Sequence, residues 1–164
     1  MILARGKYKG PTNEIVSKCY SIVKNYQLPK IVNDGGEKDG TINMVPWLMK
    51  RNLSTLMPHY WDELKPLIET VEQLTNGNTV TFSWFNILPY GSSLGEHRHL
   101  KPNHSVFIYY PKCSDASSAF EFYENGSWIS VQVETGDWIQ VKNHVLHRVP
   151  KNYGEDRISI AFNV

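Results

Sequence analysis

The sequence predicts a mainly β domain, an antiparallel sandwich or small barrel with helices packed on its outside. Three observations point there. Beyond Asn78 the apolar residues alternate with a period of two in about eight short segments, clusters of turn-forming residues separate those segments, and helical periodicity is confined to the first half. With 164 residues, 41% of them hydrophobic, the chain suffices for one core and is too short for two ordinary domains. We read one domain over 1–164, with a helical support region at 1–78 and a β core at 79–164.

From 13 to 26 the residues Ile15, Val16, Cys19, Ile22, Val23 and Tyr26 recur at helical spacing behind Thr12 and Asn13, which suits an N-cap. The stretch 33–40 (NDGGEKDG) carries too many glycines and charges for regular structure and is expected to be an exposed loop. A second helix is expected from about 59 to 74, where Trp61, Leu64, Leu67, Ile68, Val71 and Leu74 form a stripe, with a possible kink at Pro66. Asn-Gly-Asn at 76–78 ends it. The expected strands are 79–88, 94–99, 104–111, 118–124, 127–134, 137–142, 145–149 and 157–163. The turns between them carry Gly, Pro, Asn, Asp or Ser, and ENGS at 124–127 is a strong hairpin signal.

Charge and cysteine usage exclude several function classes. Lysine plus arginine number 17 against 16 acids, a net charge of +1, so no electrostatic footprint for nucleic acid or an anionic membrane is visible. No apolar stretch approaches the roughly 20 residues that span a bilayer, and the N-terminus lacks the apolar core of a signal peptide, so a cytoplasmic protein is expected. Cys19 and Cys113 lie far apart without CxxC spacing, which suits two ordinary buried or half-buried thiols. Oligomeric state is not written in the composition.

Histidine usage is more informative, because five of the six histidines, His97, His99, His104, His144 and His147, fall in two short segments. In an extended strand side chains alternate faces, so His97 and His99 point the same way and Arg98 points away. A strand led in by a Gly136-Asp137 turn would bring His147 to a facing part of a barrel. Two adjacent imidazoles and one remote imidazole make a plausible metal site. A histidine pair in a strand is also a common structural feature, so HxH by itself decides nothing.

The last strand adds an independent clue. RISIAFN places Ile158, Ile160 and Phe162 on one face and Arg157, Ser159, Ala161 and Asn163 on the other. A strand with one solvated face would show the same alternation. If the polar face lines a barrel instead, Arg157 offers a rigid fork to a carboxylate and Ser159 adds a hydroxyl two residues on.

The order H-x-H, a distant H, then R-x-S ten residues later resembles the double-stranded β-helix (jelly-roll, cupin-like fold) of the iron(II)/2-oxoglutarate oxygenase superfamily. More narrowly, SWFN (83–86), EHRHLKP (96–102), HSVFIYYP (104–111), GDWIQVKNHVLHRVP (136–150) and DRISIAFNV (156–164) resemble a small group of 2-oxoglutarate oxygenases of bacteria and phages. The likeness covers roughly 79–164, and the first half matches loosely. It implies a dioxygenase with Fe(II) and 2-oxoglutarate as cofactors, O2 as co-reactant and a small molecule or peptide as substrate. His97 and His147 would hold the metal, and Arg157 with Ser159 would clamp the far carboxylate of 2-oxoglutarate. Asn86 and Tyr109 are further candidates for the cosubstrate, each a polar group on a mostly apolar strand. Most of the superfamily has aspartate or glutamate where this chain has His99, so the third ligand departs from that pattern. His99 is the preferred third ligand, with Glu96 and His104 as neighbouring alternatives and Glu96 facing away from His97 in a regular strand.

Two rival readings remain at this stage. A cupin-type metal-binding enzyme shares the fold, and Gly91 stands where a G-x5-H-x-H motif would begin, but a cupin has no need of R-x-S on the final strand. A non-catalytic ligand-binding β-sandwich with structural histidines is the other, suggested by the five tryptophans.

Overall fold

The computed structural model describes residues 1–31, 37–99, 104–114 and 119–164. Among these the chain forms eleven strands in two antiparallel sheets, with few helices. The six-stranded sheet has the order β1(Ile2–Lys7), β9(Asp137–Lys142), β6(Ser105–Lys112), β11(Arg157–Asn163), β4(Phe82–Leu88), β3(Ile42–Asn43). The five-stranded sheet runs β2(Lys38–Asp39), β5(Ser93–His97), β10(His147–Val149), β7(Phe120–Glu124), β8(Ser127–Val131). Apart from the neighbours β3/β4 and β7/β8, successive strands pass from one sheet to the other, so this is a jelly roll, mainly β with helices outside, as the alternating pattern predicts.

The large sheet is buried on both faces, and β11 shows it best because every residue from Arg157 to Phe162 is buried. Its outer face carries Phe85, Phe107, Tyr109, Ile158, Ile160 and Phe162 into the main core, which includes Ile15, Cys19 and Ile22 of α1(Thr12–Tyr26) and Leu67 and Val71 of α3(Lys65–Leu74). The helical stripes read from the sequence are therefore core faces. Burying side chains such as Ile15 and Leu67 stabilises the fold by roughly 1.5–3 kcal/mol each.

The N-terminal half differs from the expectation in several places. Residues 2–7, assigned no element, form β1 and pair with β9 at the edge of the large sheet. Their alternating exposure is that of an edge strand with one wet face. Lys38 and Asp39, placed in the expected loop, pair with Leu94 and Ser93, while residues 32–36 of that loop lie outside the described residues. A short helix α2(Val45–Arg51) was not expected. The helix expected over 59–74 starts at Lys65, behind two single 3-10 turns at Pro58–Tyr60 and Asp62–Leu64. Pro66 therefore sits in the first turn of α3, where a missing N–H costs nothing, and does not kink it.

Boundaries shift by a few residues at most other strands, while 137–142 and 157–163 match their expected bounds. The start of the strand expected at 118 lies outside the described residues. Neither cysteine forms a disulfide among the described residues; Cys19 is buried and Cys113 half-buried. No helix among the described residues is long and apolar enough to cross a membrane.

Candidate metal centre and adjoining cavity

His97 and His147 are built as a cross-strand pair, because β5 and β10 run antiparallel with these two residues directly opposite. The register slips beyond them: Val149 pairs with Leu94, so Gly95 and Glu96 of β5 together face Arg148 of β10 and a bulge falls there. That bulge lets Leu94 and His97 both face the interior despite their odd spacing, while Glu96 is exposed. Strand β5 ends at His97, two residues short of the expected limit. His99 is held instead by its backbone N–H, which donates to the Asn143 carbonyl at 2.8 Å. The imidazoles of His97, His99 and His147 converge, each offering a ring nitrogen within 4.8 Å of the others.

Ring tautomers are set by the backbone. His97 Nδ1–H donates to the Gly95 carbonyl at 2.7 Å and His147 Nδ1–H to the Val145 carbonyl at 2.8 Å. Each therefore keeps Nε2 as a lone-pair donor, the arrangement that orients metal-binding histidines elsewhere. Burial, with His97 nearby, pushes His147 down to about 3 and His99 down to about 4, against an ordinary imidazole value of 6.5. Both are neutral at physiological pH, the state a ligand needs. Of the alternatives weighed for the third position, Glu96 points outward into contact with Arg148, and His104 is exposed with Nδ1–H donating to the Val164 carbonyl. His144 is likewise exposed.

Facing the three histidines is the inner face of the large sheet, and between them lies a cavity of about 280 Å3. Cross-strand register arranges its wall in layers: Leu88 beside Arg157, Asn86 beside Ser159, Trp84 beside Ala161, Phe82 beside Asn163. Arg157 is 1% exposed, with its guanidinium over the Tyr110 ring at 4.9 Å from the ring centre. The loop before it is tied down by buried Asn152, whose side-chain amide donates to the Leu88 and Glu155 carbonyls, and by the Tyr20 hydroxyl of α1 donating to Asp156.

Asn86 has its carbonyl oxygen occupied, since Asn43 donates its side-chain amide to it, and Asn43 in turn accepts from the Val45 backbone N–H. The side-chain NH2 of Asn86 is thus left as the group it can present to the cavity. Arg157, Ser159, Asn86 and Tyr110 make the polar end of the wall, with donors suited to an anion. Glu37 and Lys38 also line the cavity and pair with each other at 3.3 Å.

One expected site residue is not brought in. Tyr109 lies on the outer face of β6, its ring 5.6 Å edge-on from that of Tyr8, and its neighbour Tyr110 lines the cavity. The reason is phase: on β6 the residues facing the interior are Val106, Ile108 and Tyr110, and Tyr109 alternates away from them. Sequence reasoning also missed Asn43, which lies between the expected loop at 33–40 and the expected helix from about 59, in a stretch assigned no element. Phase within HSVFIYYP marks Tyr110 as the partner of Val106 and Ile108, but which set faces inward depends on the pairing with β11.

No protein-family model and no curated protein matches the sequence. Solved structures match the fold closely at low identity. A prolyl-4-hydroxylase from Pseudomonas putida is 11% identical with a TM-score of 0.66, covering 98% of this chain and 90% of that one. The non-heme alpha-ketoglutarate-dependent carbocyclase SnoK of nogalamycin biosynthesis is 11% identical, with a TM-score of 0.66 over 93% and 73% of the two chains. AviO1 from Streptomyces viridochromogenes is 12% identical, with a TM-score of 0.64 over 96% and 86%. At these identities the likeness establishes the fold, and the function has to be argued from the site.

Proposed function

We propose that this chain is an iron(II)- and 2-oxoglutarate-dependent oxygenase, in its simplest outcome a hydroxylase, acting on a small molecule or a peptide side chain. One juxtaposition carries the reading: three convergent imidazoles face a wall whose polar end holds a buried arginine with Ser159, Asn86 and Tyr110 around it. The solved structures that share the fold include 2-oxoglutarate-dependent enzymes, which supports it further. A cupin or a plain binding sandwich needs histidines or an apolar slot but has no use for the Arg157 end.

The donor set fits the implied groups. His97, His99 and His147 would hold the metal through ring nitrogens, the first and last through Nε2. Three imidazoles are accepted by borderline divalent metals, though the site is one negative charge short of two histidines and a carboxylate. Arg157 would take the carboxylate of 2-oxoglutarate remote from the metal, with donors from Ser159 and Asn86 beside it. Bound together, iron, 2-oxoglutarate and O2 supply oxidative decarboxylation of the keto acid to succinate and carbon dioxide, coupled to oxidation of a substrate C–H bond. The chain's own part is to orient these reactants and keep water out: Asn43 holds Asn86 with its NH2 inward, and Phe120, Leu94 and Val149 close the wall around the histidines.

Anaerobic titration calorimetry of 2-oxoglutarate into the iron(II)-loaded protein tests the proposal. Charge-assisted bonds of this kind contribute on the order of 1.5–3 kcal/mol, roughly ten- to a hundred-fold in affinity. Arg157→Gln is expected to weaken 2-oxoglutarate by that factor with iron binding nearly intact, and Arg157→Lys to recover part of it. Absence of binding to the wild type, or equal binding to Arg157→Gln, would overturn the assignment.

A further inference from the structure

The cavity wall carries one oppositely charged pair that the cosubstrate reading leaves unused. Lys38 pairs with Leu94 at the edge of the small sheet, so its side chain stands on the inner face in the row Lys38, Leu94, Val149, next to the row that holds His97 and His147. Glu37 precedes it and is fixed through its backbone carbonyl, which accepts from the Gly95 N–H of β5. The Lys38 ammonium donates to the Glu37 carboxylate at 3.3 Å, and both side chains line the cavity. Among the described residues Glu37 supplies the one carboxylate of that lining. It lies within electrostatic reach of the metal centre, since burial and His97 lower the His99 pKa and Glu37 opposes them.

Lys38 has 20% and Glu37 45% of its side chain exposed, so the pair is partly stripped of water and still open to an entering molecule. An ion pair exposed to that degree contributes little to stability, and little is lost when a ligand separates it. The signs of the two ends limit what can do so. An entering cation meets the Lys38 ammonium 3.3 Å from the carboxylate it seeks, and an entering anion meets Glu37 in the same way. A zwitterion brings a partner for each end and replaces one charge-assisted contact by two. An α-amino acid carries both of its charges on a single carbon, which suits a pair set so close together. A residue inside a peptide has neither charge.

Apolar side chains complete this part of the wall: Phe82, Trp84, Val106 and Ile108, with the Trp84 ring 5.9 Å from that of His99. An apolar group is desolvated there beside the histidines. At about 280 Å3 the whole cavity lies below the roughly 300–1,000 Å3 of sites that engulf a drug-sized ligand. With 2-oxoglutarate at the Arg157 end, the remainder admits only a compact molecule.

We propose that the substrate is a free α-amino acid with an apolar side chain, its ammonium held by Glu37, its carboxylate by Lys38, and its side chain against the apolar wall beside the histidines. That this molecule is the one oxidised rests on the oxygenase reading, whereas its recognition by the charged pair is a property of the chain alone.

The test is calorimetry, with NMR at the Trp84 indole, on the protein alone and on the protein loaded with iron(II) and 2-oxoglutarate without oxygen. The probes are L-valine, L-leucine and L-phenylalanine, each beside the amine that lacks its carboxylate and the acid that lacks its ammonium; for leucine these are isopentylamine and isocaproate. At least one of the amino acids is expected to bind saturably. Its amine and its acid should each bind about tenfold more weakly, the loss of one charge-assisted contact at a half-exposed site. Glu37→Gln should remove the preference for the amino acid over its acid, and Lys38→Met the preference over its amine. Glu37→Lys should bind the acid more tightly than the wild type does, a gain that a misfolded variant cannot show. Absence of saturable binding by all three amino acids, a preference over the acid that survives Glu37→Gln, or equal binding of the N-acetyl amide, which stands for a peptide residue, would overturn the proposal. Amino acid bound where 2-oxoglutarate is not would count against the oxygenase reading alone, and 2-oxoglutarate bound where no amino acid is would count against this one alone.

Discussion

In the proposed metal centre, an imidazole at position 99 instead of a carboxylate would change the charge more than the shape. His99 reaches the other two imidazoles from just beyond the end of β5, and its backbone is fixed by Asn143, so its position does not depend on the chemistry of its side chain. His99→Asp is therefore expected to retain iron(II) binding, His99→Ala to weaken it, and His147→Ala to abolish it while the fold persists, all read by metal analysis after gel filtration. Wild-type affinity in His99→Ala would show that the third position is filled by something other than this imidazole. The HxH pattern was legible from the residues, and so was Arg157 in phase with Ser159. Tyr110 was not, because two adjacent tyrosines differ only in phase, and phase acquires a direction only when β6 is docked on β11.

At the scale of elements, the edges of the large sheet hold the least expected features. Strand β1 closes one edge by pairing with β9, and Gly6 lies directly opposite Trp138, with the place a Cβ would occupy only 2.6 Å from the indole ring. The indole packs on Phe107 at 5.8 Å, on the face away from the cavity. No side chain fits between strand and ring, so glycine is required by close approach. Gly6→Ala should cost about 1–3 kcal/mol, the usual range for overpacking a core, read from the denaturant midpoint at unchanged slope. Iron and 2-oxoglutarate affinities should be unaffected. A variant as stable as the wild type would mean that the edge strand yields freely. The local sequence, ILARGK, has the alternation of a strand but is short and charged, and its partner lies some 130 residues on, about the longest-range contact among the described residues. The same reason hid β2 and β3, each two residues long and defined by pairing alone.

For the whole molecule, the neutral histidines His147, buried, and His99, half-buried, tie stability to pH. In the fold His147 is pushed down to about 3 and His99 to about 4, chiefly by burial, whereas an unfolded chain binds those protons near 6.5. Between these values the unfolded state holds more protons than the native state, so stability falls as pH falls from about 6.5, and the penalty is complete below about 3. With metal removed by chelation, the thermal midpoint should drop across this window, and His147→Gln should show a shallower slope than the wild type. Parallel slopes would mean that His147 is not held neutral by the fold.

Composition and periodicity by themselves determined that the fold is mainly β with helices outside it, which residues share a face on each long strand, and which histidines and arginine stand out by type and spacing. Those properties are local: a period of two, a turn cluster, a residue type. The tertiary structure alone decided that the polar face of β11 looks into a cavity and not into water, that His99 still joins His97 and His147 after its strand has ended, and that Tyr110, not Tyr109, lines that cavity together with Asn43. Each of these depends on register and on which sheet face is covered, and a strand carries its two faces without saying which neighbour will bury which.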